Sequence, residues 1–69
     1  MNTVDTLRHL AAIADSRAEI LPLGDERSDY QWFSNNAGSL ANAIERGVLT
    51  DARISAEVAK LNEICDLTV

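Results

Sequence analysis

The sequence predicts an all-α fold: three short amphipathic helices, packed as a small bundle or as a helical hairpin completed by dimerisation. Three observations predict it. Apolar residues recur at alternating spacings of three and four in three separate segments. Helix breakers stand between those segments, at Pro22, Gly24 and Gly47. No segment shows the sustained period-two alternation, bounded by hairpin turns, that marks a strand.

The first helix is expected over residues 3–21. Val4, Leu7, Ala11, Ala14, Ala18 and Leu21 form one stripe with Leu10, while Asp5, Arg8, Asp15 and Glu19 fall opposite. Asn2 or Thr3 is a suitable N-cap, and Asp5 in the first turn suits the positive end of the helix dipole. Pro22 disfavours helical geometry at Leu21, so the helix stops there. Residues 21–27 then form a short connector, of a length that lets two helices fold back on each other.

The second helix is expected over residues 28–46. Ser28 and Gln31 have the spacing of a capping box, in which each side chain satisfies the other residue's amide. Tyr30, Phe33, Ala37, Leu40 and Ile44 supply the apolar face, and Gly47 stands where a left-handed C′ residue is wanted. The third helix is expected over residues 51–67. Thr50 is its N-cap, with Leu49 and Ile54 as a hydrophobic staple. Ile54, Val58, Leu61 and Cys65 point inward, and residues 67–69 fray or dock on an apolar surface.

The 69 residues make one domain, residues 1–69. A chain this short buries roughly 60% of its unfolded surface. Burial and lost conformational entropy then come close to balance, so a homodimer is expected. No apolar stretch approaches the ~20 residues of a membrane span, and residues 1–20 carry charges throughout, unlike a signal peptide. Cys65 is the single cysteine, so no internal disulfide forms. A soluble, cytoplasmic protein is expected.

The net charge is −5, from 11 acidic against 6 basic residues. Phosphate neutralisation needs Lys and Arg, so direct binding of nucleic acid is not expected. A basic protein surface, such as one that itself binds nucleic acid, is the fitting partner. The acidic residues around the first connector, Asp15, Glu19, Asp25, Glu26 and Asp29, are candidates to engage it; a solvated turn is the plainer reading.

Two features of the second helix stand out. Trp32 lies off the main apolar stripe, near Ser39 and Ala43, where it serves either as the edge of a wide core or as an anchor for a partner. Gly38 costs about 1 kcal/mol relative to alanine in mid-helix. With Ser34 and Ala41 it is expected to mark a close helix crossing, within the fold or across a dimer; a locally weak helix is the alternative.

Nothing in the sequence suggests catalysis. His9 is the only histidine and falls on the polar side of its helix, opposite in sense to Cys65. There is no HExxH, CxxC, GxSxG or Gly-rich phosphate loop. No metal and no cofactor is expected, and the chain is read as a non-catalytic protein-binding module. In its short, acidic, helical and motif-free profile it resembles the small accessory proteins of phages and mobile elements that dock on host complexes and disable them, anti-CRISPR inhibitors among them. That resemblance is one of size and charge, and implies an inhibitory or regulatory role without assigning residues. The alternative is a structural or adaptor module whose main role is homo-oligomerisation.

Overall fold

The computed structural model describes residues 2–69. Three helices follow one another: α1 (Thr3–Ile20), α2 (Asp25–Glu45) and α3 (Asp51–Asn62). No strand occurs among the described residues.

The start of α1 is held by Asn2, whose Oδ1 accepts from the Asp5 amide at 2.8 Å. Leu21 is extended, as a residue before proline should be, and ends the helix. At the start of α3, Thr50 Oγ1 accepts from the Arg53 amide at 3.2 Å. The C-terminus of α2 is a Schellman motif: Gly47 has φ +69°, its N–H donates to Ile44 O, and the Val48 N–H donates to Ala43 O.

Two helix boundaries differ from expectation by more than one residue. The second helix begins at Asp25 rather than at Ser28, with Gly24 as its N-cap and no side-chain cap. The Ser28 amide already donates to Gly24 O at 3.0 Å, so a capping box at Ser28–Gln31 has no orphan amide to satisfy. Asp25 and Glu26 in the first turn face the positive helix end instead. The third helix ends at Asn62 rather than at residue 67. Leu67 folds back and is 7% exposed, and the Val69 amide donates to Asn62 Oδ1 at 2.8 Å. A continued helix would carry Leu67 about 7.5 Å further along the axis; the turn after Asn62 places it against the core instead.

The α1 and α2 helices form an antiparallel hairpin. Arg8 near the start of α1 pairs with Glu45 at the end of α2, and Arg17 near the end of α1 reaches Tyr30 near the start of α2. Leu7, Ala14 and Ala18 of α1 are buried with Tyr30, Phe33, Ala37, Leu40 and Ala41 of α2. Leu61 of α3 and Leu67 of the tail complete this core, with α3 packing on α2. The accessible surface is 4421 Å², against about 4,250 Å² expected for a compact monomer of this mass.

Within the chain, alanines rather than Gly38 make the helices approach closely. Ala14, Ala18, Ala37 and Ala41 are at most 2% exposed. Ser34 and Gly38 are only half-buried, and a Cβ built on Gly38 meets nothing within 4 Å. Of the expected crossing residues, Ala41 alone lies in the core.

Candidate functional site

The α1–α2 connector turns outward at the end of the hairpin. Pro22 and Gly24 interrupt the helices. Leu21 packs against the core, but Ile20 at the end of α1 and Leu23 do not reach it, being 83% and 88% exposed. Asp15 and Glu19 stand one turn apart on α1, about 6 Å along the axis. Asp25, Glu26 and Asp29 crowd the start of α2. All of these carboxylates are exposed, and none forms an ion pair among the described residues. Two arginines lie near. Arg27 is half-buried, its Nε without a hydrogen-bond partner among the described residues. Arg17 is engaged elsewhere, by the C-terminal tail.

That engagement is a three-residue knot. Arg17 Nη1 donates to both Asp66 oxygens at 2.9 Å and to the Tyr30 hydroxyl at 3.1 Å. Tyr30 in turn donates to Asp66 Oδ1 at 2.6 Å, and the guanidinium carbon of Arg17 lies 5.5 Å from the Tyr30 ring centre. The Tyr30 hydrogen bond, and then Arg17, hold the Asp66 carboxyl below its ordinary range. The same bond to Asp66 pushes the Tyr30 phenol above its ordinary value. Arg17 is raised, first by Tyr30 and then by Asp66. The sequence offered no local signal for this knot, because its members stand 13, 36 and 49 residues apart.

Trp32 is 43% exposed. With Ser39 it forms the α2 wall of an open groove of about 390 Å³. Leu40, Leu49 and Leu61 lie along the groove, and Arg53 and Lys60 line its α3 side. Both cations are paired with Glu57, at 3.3 and 3.4 Å. Asn36 Nδ2 donates to the Trp32 carbonyl at 2.8 Å, which fixes it on the same flank. Ala43 is half-buried further along that flank and does not line the groove.

His9 is exposed on α1, and Cys65 is half-buried in a cleft with Glu26, Asp29 and Asp66. Among the described residues, no three His, Cys, Asp or Glu side chains converge as metal ligands would. No helix among the described residues is long and apolar enough to cross a membrane. The chain matches no family model, no curated protein and no solved structure.

Proposed function

We propose that this protein is a non-catalytic binding module that docks its hairpin tip on a basic surface of a larger protein and so inhibits or modulates it. One observation carries the reading: Ile20 and Leu23 protrude into solvent beside exposed carboxylates, Glu19, Asp25 and Glu26, that form no ion pair among the described residues. Exposed apolar side chains rimmed by polar groups mark contact surfaces. Burying Ile20 and Leu23 would contribute about 1.5–3 kcal/mol each. The carboxylates would steer the tip toward clustered Lys and Arg and reject acidic surfaces.

Surfaces dense in Lys and Arg are those that hold nucleic-acid phosphates. A tip seated there excludes the nucleic acid, which is inhibition by occupancy and needs no chemistry. The profile of small phage and mobile-element inhibitors fits this mode of action.

A photo-crosslinking residue in place of Leu23 tests the proposal in cells. The expected products are basic, nucleic-acid-binding proteins, captured less than one-tenth as well when Glu19 and Glu26 are both changed to Lys. Crosslinks that survive this charge reversal undiminished would overturn the reading.

A further inference from the structure

We infer that the outer flank of α2 is a self-association seam, taken by the same flank of a second copy running antiparallel. This goes beyond the docking reading and shares with it only the carboxylates Asp25 and Asp29.

At 21 residues α2 is the longest helix, and one side of it is spent on the core. On the outer flank Asp25, Asp29, Trp32, Asn36, Ser39, Ala43 and Arg46 follow at spacings of four and three in strict alternation. These positions share one face of the helix, with Trp32 and Ala43 as its apolar members. All of these residues are exposed except half-buried Ala43. Asp25, Asp29 and Arg46 have no ion-pair partner among the described residues.

The seam is polarised in charge and in size. Its N-terminal end carries two carboxylates, Asp25 and Asp29. Its C-terminal end carries Arg46, and Arg53 of α3 lines the same groove as Ser39. A parallel pairing would set Asp25 and Asp29 against their own copies. An antiparallel pairing about a two-fold axis beside Asn36 sets them against Arg46 and Arg53 of the second copy. The same axis brings the Trp32 ring over Ser39 and Ala43 of the second copy, whose small side chains leave room for it. It also opposes the two helix dipoles favourably.

The seam is isologous, so it closes as a dimer and does not propagate. A strip as long as α2 and one helix wide covers on the order of 300 Å² per chain. That is the size of a weak, transient interface, so the dimer forms at high protein concentration.

Charge swapping tests the seam, read by sedimentation equilibrium on the full chain. One variant carries Asp25→Arg and Asp29→Arg; the other carries Arg46→Glu and Arg53→Glu. Wild type should sediment as a dimer at high micromolar concentration. Each variant alone should associate at least tenfold more weakly, with unchanged helical circular dichroism. An equimolar mixture should recover the dimer, since both of its contacts then pair opposite charges. Trp32→Ala should also weaken association at least tenfold, and Leu23→Asp should leave it unchanged. A wild-type chain that sediments only at 7.5 kDa, variants that dimerise as tightly as wild type, or a mixture that stays monomeric would each overturn the inference.

Discussion

The Tyr30 hydroxyl donates to Asp66 Oδ1 at 2.6 Å, tying the start of α2 to a tail residue 36 positions away. Asp66 is flanked by buried Leu67, so the knot decides where the tail lies. Tyr30→Phe removes the first cause of the lowered Asp66 titration and leaves Arg17 in place. The Asp66 carboxyl, followed by NMR, should then titrate higher, toward the ordinary carboxylate range. Amides of residues 66–69 should exchange faster than in wild type. An Asp66 that already titrates at its ordinary value in wild type would show that the knot does not persist in solution.

The same shifts set the pH dependence of stability. Asp66 is depressed in the folded state, so its contribution is present above the unfolded carboxylate value of about 3.9 and is lost as pH falls through the lowered value. Tyr30 is raised, so its contribution is complete below about pH 10 and is lost as pH rises through the raised value. Thermal melts should reveal a plateau between these limits. Asp66→Asn should flatten the acid edge; an acid edge identical in both proteins would assign it to other carboxylates.

The two helical-region glycines should respond in opposite directions. Gly38 is in mid-helix with open space at its Cβ position, so Gly38→Ala should stabilise by about 0.5–1 kcal/mol. Gly47 holds φ +69° at the end of α2, so Gly47→Ala should destabilise by roughly 1 kcal/mol. For a domain of this size each kcal/mol moves the Tm by about 4–8 °C. A Gly38→Ala chain that melts lower than wild type would reveal a close approach that the monomer does not contain, as between two copies.

Phe33 is fully buried in the core that α2 builds with Leu7, Ala14 and Ala18 of α1. Phe33→Ala should cost about 3–5 kcal/mol, comparable to the whole stability of a domain this small at roughly 0.05–0.15 kcal/mol per residue. Circular dichroism at 25 °C should therefore report a largely unfolded population, and Phe33→Leu a folded but less stable one. A folded Phe33→Ala chain with wild-type melting would mean that the core closes without it.

Cys65 was expected in the core stripe of a longer third helix, but it lies in the turn beyond α3 and is half-buried. Cys65→Ser should accordingly cost less than about 1 kcal/mol, since water can reach the hydroxyl. A thiol reagent should modify the native protein more slowly than the unfolded chain, yet well before global unfolding. Protection equal to that of the slowest core amides would restore a fully buried thiol.

Much of the fold was legible because it is local. Spacings of three and four specify a helix and its buried face within a few turns, and Asn2, Thr50 and Gly47 carry their capping chemistry in the residue itself. Where two local signals competed, the reading erred. Ser28 and Gln31 spell a capping box, but the chain had already entered the helix at Asp25, because charges in the first turn and the amide of Ser28 were served without it. Gly38 suggested a crossing, within the fold or across a dimer, because glycine is costly in a helix; within the hairpin the close approach is made by alanines instead.

The sequence by itself determined that this protein is helical, in three segments, with an acidic connector and a tryptophan displaced from the main apolar stripe. Only the tertiary structure decided that α3 stops at Asn62, that Leu67 turns back under the Arg17–Tyr30–Asp66 knot, and that Ile20 and Leu23 are left in solvent. The physical reason is range. Helix formation is settled by hydrogen bonds and stripes within four residues, whereas an apolar side chain is buried or exposed according to what distant elements bring to it.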